Sequence, residues 1–149
     1  MLKGIDPLLG PALLSILRSM GHGDEIVVAD ANFPSLSTGT PNRVVRADGS
    51  DAVRLTQAIV SVLPLDDFVP AAAFRMAVVD KPDEVPPITH DFAKVLKAAG
   101  YAGPIEPIER HAFYARAKTA FAIVATGEQR LYGNLILKKG VIRPEQSSK

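Results

Sequence analysis

Short apolar runs alternate along the chain with segments whose apolar residues recur every three or four positions. The clearest run, residues 26–29, has the length and composition of a buried strand. Similar runs predict further strands at residues 44–45, 71–79, 105–108, 121–125 and 135–137. Because Pro107 cannot donate a ladder hydrogen bond, the strand at 105–108 is expected at a sheet edge.

Helical periodicity fills most of the segments between these strands. Leu13, Ile16, Leu17 and Met20 share one face of a helix that Gly21 ends. Asp51 is predicted to cap a second helix, which Pro64 ends, and Thr89 is predicted to cap a third, which Gly100 ends. A further helix is predicted over residues 109–118. Residues 35–42 are small and polar and predict a loop.

The alternation of helices and short strands predicts the fold class α/β, a three-layer sandwich with a mostly parallel sheet flanked by helices. The 149 residues suit a single domain, and residues 143–149 are expected to form a disordered tail. Ligands of such sheets bind beyond the carboxyl ends of the strands. Asp30 and the turn at Thr126 and Gly127 follow predicted strands, so we expect them at that edge.

Composition excludes several function classes. Apolar residues make up 47% of the chain, which is incompatible with disorder. Since 17 basic and 16 acidic residues are interspersed, we expect neither nucleic acid nor a membrane as partner. The absence of cysteine excludes disulfides, thiolate catalysis and cysteine zinc sites. Neither a signal peptide nor a transmembrane pattern is present, so a cytoplasmic location is predicted.

A histidine between two glycines is the first candidate for chemistry. His22 precedes the strand at 26–29 and Asp30 follows it, so the two side chains lie beyond opposite ends of the strand. They meet only if the loops fold back or a neighbouring subunit closes the gap. Alternatively, His22 is a surface loop residue and Asp30 a turn former. A cation held by His22, Asp24 and Asp30 is a further alternative.

The C-terminal third supplies other polar groups, namely Arg110, Tyr114, Tyr132 and Asn134. Tyr132 and Asn134 are two residues apart and would lie on one side of an extended segment. Gly133 between them would let a ligand approach the backbone, although a hairpin turn explains the same residues. The other histidines, His90 and His111, have no metal-ligand spacing, and Ser35 and Ser37 lack a nucleophile motif. These donors and acceptors suit a neutral polyol such as a sugar.

Taken together, these segments resemble the RbsD/FucU family of sugar mutarotases and pyranases. The matching segments are MGHGDEI at 20–26, ADANFP at 29–34, RADG at 46–49, AFYARA at 112–117, ATGE at 125–128, YGN at 132–134 and LKKG at 137–140. The resemblance extends from about residue 1 to 142 and is closer to the L-fucose than to the ribose branch. His111 departs from the family pattern, and residues 80–104 match it poorly.

The resemblance implies an RbsD-like fold and an isomerase that interconverts the α and β anomers of L-fucose or a related monosaccharide. It implies His22 as the proton donor and Asp30, Arg110, Tyr132 and Asn134 as sugar-binding residues. It also implies a homodecamer of two stacked rings, with sites at subunit interfaces.

The implied reaction needs few parts. Opening a hemiacetal requires a proton on the ring oxygen and removal of one from the anomeric hydroxyl, and imidazole exchanges protons near neutral pH. We therefore expect no cofactor and no metal. The alternative is a non-catalytic sugar-binding accessory protein for transport or for a sugar kinase; a purely structural ring-forming protein ranks third.

Overall fold

A computed structural model of the chain describes residues 1–40 and 43–146. Its strands form one sheet. In chain order they are Glu25–Ala29 (β1), Val44–Ala47 (β2), Ala73–Met76 (β3), Ile105–Ile108 (β4), Ala122–Thr126 (β5) and Leu135–Lys138 (β6). The order across the sheet is β2-β5-β1-β6-β3-β4. β6 runs antiparallel to its neighbours β1 and β3, whereas the other pairs are parallel. The prediction of a mostly parallel sheet with 105–108 at an edge is confirmed.

Helices cover both faces of the sheet. They are Pro11–Ser19 (α1), Ser35–Thr38 (α2), Ala52–Val60 (α3), Pro87–Ala98 (α4) and Arg110–Thr119 (α5). One core cluster joins α1, α3 and α4 to the sheet, and a second joins α5 to the opposite face. β1 contributes Ile26 and Val28 to the first cluster and Val27 and Ala29 to the second. Strand alternation therefore places one strand between two helical layers, and the predicted three-layer sandwich is confirmed.

The helices agree with the sequence prediction at one cap and differ from it in two places. The Asp51 carboxylate accepts a hydrogen bond from the N–H of Arg54 at 2.8 Å, as a cap does. Thr89, predicted to cap α4, lies inside that helix, which instead begins at Pro87; the fixed φ of proline suits a first helical position. Residues 35–38, predicted as loop, form the single turn α2. Residues 41 and 42 of that predicted loop lie outside the described residues.

One predicted strand changes its bounds, and part of the predicted tail is described. The strand predicted at 71–79 is shorter, and Asp80 beyond it has the left-handed φ of 61°. In the tail predicted to be disordered, a 3-10 helix covers Pro144–Gln146 and Arg143 pairs with Asp67 at 2.7 Å; residues 147–149 lie outside the described part. Within residues 1–40 and 43–146, the helices lack the length and hydropathy that crossing a membrane requires.

Candidate active site

Asp30 occupies the carboxyl end of β1 and is buried, with 5% of its surface exposed. Its backbone N–H donates to Asn134 Oδ1 at 2.8 Å, and its carboxylate accepts from the N–H of Asn32 at 3.0 Å. Burial raises the pKa of the Asp30 carboxyl, against hydrogen bonds from the N–H groups of Asn32, Phe33 and Gly133 and from the Asn134 side chain. The result is a fixed carboxylate beside a cavity of about 500 Å³.

The segment from Tyr132 to Asn134 enters β6 at this same edge, because β6 runs antiparallel to β1. Tyr132 has a left-handed φ of 58°, so the segment is not extended as predicted. The Tyr132 hydroxyl accepts from the N–H of Val79 at 3.1 Å, whereas Asn134 holds Asp30. Among the described residues the Tyr132 hydroxyl donates no hydrogen bond, so its hydrogen can be donated to a ligand. Asn134 is 4% exposed and holds the backbone of Asp30 in place.

Gly133 is required by packing inside the chain. A Cβ atom at this position would lie 2.7 Å from Glu128 Cγ and 3.2 Å from Asp30 Cβ. The atoms that approach Gly133 within the chain belong to Glu128, Arg130 and Asp30, so its lack of a side chain is explained by packing, and its predicted role in close approach of a ligand stays a prediction.

Glu128 supports this edge and was not identified from the sequence. Glu128 is 3% exposed. Its backbone oxygen accepts a hydrogen bond from the Ala31 N–H at 2.9 Å. Its carboxylate accepts hydrogen bonds from Arg130 Nε at 3.0 Å and Nη2 at 3.1 Å. Burial alone would raise the pKa of Glu128, but the Arg130 hydrogen bonds and charge, with the Ala52 N–H, hold it below its ordinary value.

We expect Arg130→Met to lower the free energy of unfolding by about 2 kcal/mol, because it leaves the buried Glu128 carboxylate without its cation. The pKa of Glu128 is lowered in the folded state. The stabilisation by the Glu128–Arg130 pair is therefore fully present above the pKa that Glu128 has in the unfolded chain, and it is lost as pH falls through the pKa that Glu128 has in the folded protein. Urea unfolding of both proteins at pH 7 and pH 3 measures it. A difference of equal size at both pH values would contradict this explanation.

Arg110 is exposed at the first position of α5. Tyr114, one turn later on the same helix face, lies against Phe33 with ring centroids 5.5 Å apart. Phe33 follows Asp30 by three residues and lines its cavity. Within the described residues, Arg110 forms no hydrogen bond with Asp30, Tyr132 or Asn134, so its predicted role in binding remains a prediction.

His22 lies at the other end of β1. The five residues of β1 span about 17 Å, so the chain by itself does not bring His22 to Asp30. His22 Nε2 lies 3.1 Å from Asp66 Oδ1; the side chain of His22 is 47% exposed and that of Asp66 only 3%. The Phe68 ring stands 5.4 Å from the imidazole.

Two segments attached to the end of β6 bring His22 and Asp66 together. The N–H of Gly23 donates to the Lys139 oxygen at 2.9 Å, and that of Asp66 to the Lys138 oxygen at 3.1 Å. Gly23 has a φ of 85°, the sharp bend expected beside the histidine. Asp24 accepts from the Gly21 N–H at 2.7 Å. Asp66 is 44 residues from His22 in sequence and carries no motif, so only the fold reveals the pair.

Comparison with known proteins identifies the family of the chain. The sequence pattern of the RbsD / FucU transport protein family matches residues 3–142. The chain belongs to the RbsD/FucU family. It is similar to the fucose mutarotase of Danio rerio, with 49% identity over 155 residues and 97% of both chains covered.

Two solved structures of the RbsD/FucU family differ in how closely they match the chain. The fucose mutarotase of Streptococcus pneumoniae in complex with L-fucose has a TM-score of 0.88 and 43% identity, covering 95% of this chain and 100% of the other. RbsD of Bacillus subtilis complexed with D-ribose has a TM-score of 0.69 and 25% identity, covering 96% and 100%. The chain is therefore more similar to the fucose-bound protein than to the ribose-bound one.

Proposed function

We propose that this protein is an isomerase that interconverts the α and β anomers of L-fucose. The observation that carries the proposal is the full-length similarity to fucose mutarotases, including the L-fucose complex with its TM-score of 0.88. The more distant match to the D-ribose complex supports fucose over ribose, a choice that the residues alone left open. The comparisons do not favour the accessory-protein alternative.

Ring opening moves two protons. A proton is added to the ring oxygen while one leaves the anomeric hydroxyl; the bond between the anomeric carbon and the ring oxygen breaks and an aldehyde forms. Rotation about the adjacent carbon–carbon bond and closure on the other face give the second anomer. In our proposal His22 donates the first proton and solvent water takes up the proton that leaves the anomeric hydroxyl. Asp30 accepts a hydrogen bond from a sugar hydroxyl, while Arg110, Tyr132 and Asn134 complete the sugar-binding side. A positioned acid or base typically accelerates such a step by about 10²–10⁴-fold.

The two halves of the proposed site lie at opposite ends of β1, so we further propose that each site forms between two copies of the chain. Exposed large apolar side chains flank both halves: Leu36 (63% exposed) at the Asp30 cavity and Phe68 (63%) beside His22. The decamer of two stacked rings and the cytoplasmic location expected from the sequence stay predictions.

Saturation-transfer NMR of equilibrated L-fucose tests the activity directly. We expect the protein to raise the rate of exchange between the two anomeric proton signals, and to act more weakly on D-ribose at the same concentration. Binding of L-fucose without faster exchange would refute the enzyme and favour the accessory protein. No binding and no acceleration would refute both.

Asp66 is expected to act as a positioning residue, because its buried carboxylate holds the imidazole of His22 at 3.1 Å. Asp66→Asn should lower kcat for anomer exchange by about tenfold, roughly the 1.4 kcal/mol of one oriented hydrogen bond, while the KM for L-fucose changes little. Exchange rates measured over a range of L-fucose concentrations separate the two constants. A rise in KM with unchanged kcat would place Asp66 in sugar binding instead.

A further inference from the structure

Arg75 is a buried guanidinium without a counterion. It lies in β3 with 5% of its surface exposed, and its Nη1 atom has no hydrogen-bond partner. Within the described residues, Arg75 forms neither a hydrogen bond nor an ion pair. Burial lowers the pKa of Arg75, and nothing in this part of the chain offsets that effect. A charge buried in this way is costly unless a partner of opposite sign is supplied.

Strand alternation fixes which side of the sheet Arg75 faces. Ala73, two residues before it, belongs to the core cluster under α4, and Phe74 belongs to the cluster on the opposite face. Arg75 therefore points toward α4, where it lines a cavity of about 610 Å³ between α4, the segment 100–104 and β4. This volume is in the range of small-molecule sites.

The lining of this cavity suits an anion with an apolar body. Its ionisable groups besides Arg75 are those of His90, Lys97 and Tyr101, and none of the residues that line it is acidic. Thr89 adds a hydroxyl, whereas the Tyr101 hydroxyl is engaged with the Ala72 N–H and the Pro104 oxygen, both at 2.8 Å. The remaining lining is largely aliphatic, including Leu96 and Ile105.

We propose that this cavity binds a small organic anion whose phosphate or carboxylate group pairs with the Arg75 guanidinium. Planar or tetrahedral oxyanions accept two parallel hydrogen bonds from arginine. Lys97 adds charge at the same cavity, and the aliphatic wall covers the body of the ligand. The site is separate from the residues that we assign to the sugar, which lie at the carboxyl edge of β1 and at its amino end.

Isothermal titration calorimetry with phenyl phosphate, benzoate and inorganic phosphate tests the proposal. We expect phenyl phosphate, benzoate or both to bind the wild-type protein, and Arg75→Met to raise the Kd at least tenfold. Lys94→Met is the matched control, because it removes a positive charge from an exposed position of α4 outside the cavity; its Kd should equal that of the wild type. Comparison of the three ligands separates a phosphate from a carboxylate site.

Two results would overturn the anion site. One is the absence of binding by all three ligands; the other is equal affinity in the wild type and Arg75→Met. If the wild type binds none of the three ligands and Arg75→Met changes the size of the assembly in solution, an acidic side chain of a second copy is the counterion. Chemical shifts of the Arg75 side-chain N–H in the titrated wild type give a second measurement that requires no variant. Anomer exchange by Arg75→Met should match the wild-type rate.

Discussion

His22→Ala lowers the rate of L-fucose anomer exchange by about 10²–10⁴-fold, the range expected when a positioned acid is lost. The physical reason is that ring opening needs a proton delivered to the ring oxygen, and His22 is the exposed imidazole that a buried carboxylate orients. The Asp66 carboxylate keeps its backbone hydrogen bond from Phe68 in the variant. The fold should therefore survive, and the loss should appear in exchange and not in stability.

Saturation-transfer NMR at matched protein concentration measures this loss. His111→Ala is the control, because His111 is an exposed histidine on α5 that we assign to no part of the site. Exchange by His111→Ala at the wild-type rate, with His22→Ala near the uncatalysed rate, is the expected pattern. Wild-type exchange by His22→Ala would end the assignment of His22 as the acid.

Asp30→Asn is the second variant with a large expected effect, a fall in kcat/KM of about 30-fold. The reason is the loss of a charged acceptor for a sugar hydroxyl, worth about 2 kcal/mol. The amide keeps the size of the carboxylate and one acceptor oxygen for the N–H of Asn32. Unlike His22→Ala, this variant should weaken the binding of L-fucose itself, which calorimetry measures.

The pH dependence of the free energy of unfolding provides an independent measurement of the burial of the Asp30 carboxylate. Because the folded pKa of Asp30 is raised above its ordinary 3.8, the folded state binds the proton more tightly than the unfolded state. The free energy of unfolding of the wild type therefore falls relative to that of Asp30→Asn as pH rises from the unfolded pKa of Asp30 to its folded pKa. Above the folded pKa the difference between the two proteins is constant. A stability difference between the two proteins that does not change across this interval would contradict the burial of the carboxylate.

Most of the fold followed from patterns that are local in sequence. The apolar run at 26–29 is bounded by polar residues and glycine, and Asp51 is a cap of the preferred type, so these elements could be predicted. The cap assigned to Thr89 was wrong because Pro87 begins the helix without a side-chain cap. The strand predicted at 71–79 was longer than the observed β3. Apolar character alone does not show where the neighbouring strands β4 and β6, to which β3 is hydrogen-bonded, end.

The candidate site was harder to predict because its contacts are long-range. Asp30 could be identified from its place after a buried strand, but its bond to Asn134 joins residues 104 apart. Asp66 meets His22 only because both segments attach to the end of β6. Gly133 was assigned to ligand approach, and the sequence did not show that Glu128, Arg130 and Asp30 pack against it. Sequence reasoning did place His22 and Asp30 at opposite ends of a strand, and it left two ways to join them, loops that fold back or a neighbouring subunit. The described loops do not bring His22 to Asp30, so a site that uses both residues needs a neighbouring subunit.

That need gives the most direct measurement, which is complementation between the two impaired variants. His22→Ala and Asp30→Asn chains, co-expressed with different tags and purified through both, form hybrid assemblies. If each site takes His22 from one copy and Asp30 from another, about one quarter of the sites in a randomly mixed ring regain both residues, and L-fucose exchange should return to about that fraction of the wild-type rate. Hybrid assemblies no more active than the two variants measured separately would contradict a site shared between copies of the chain.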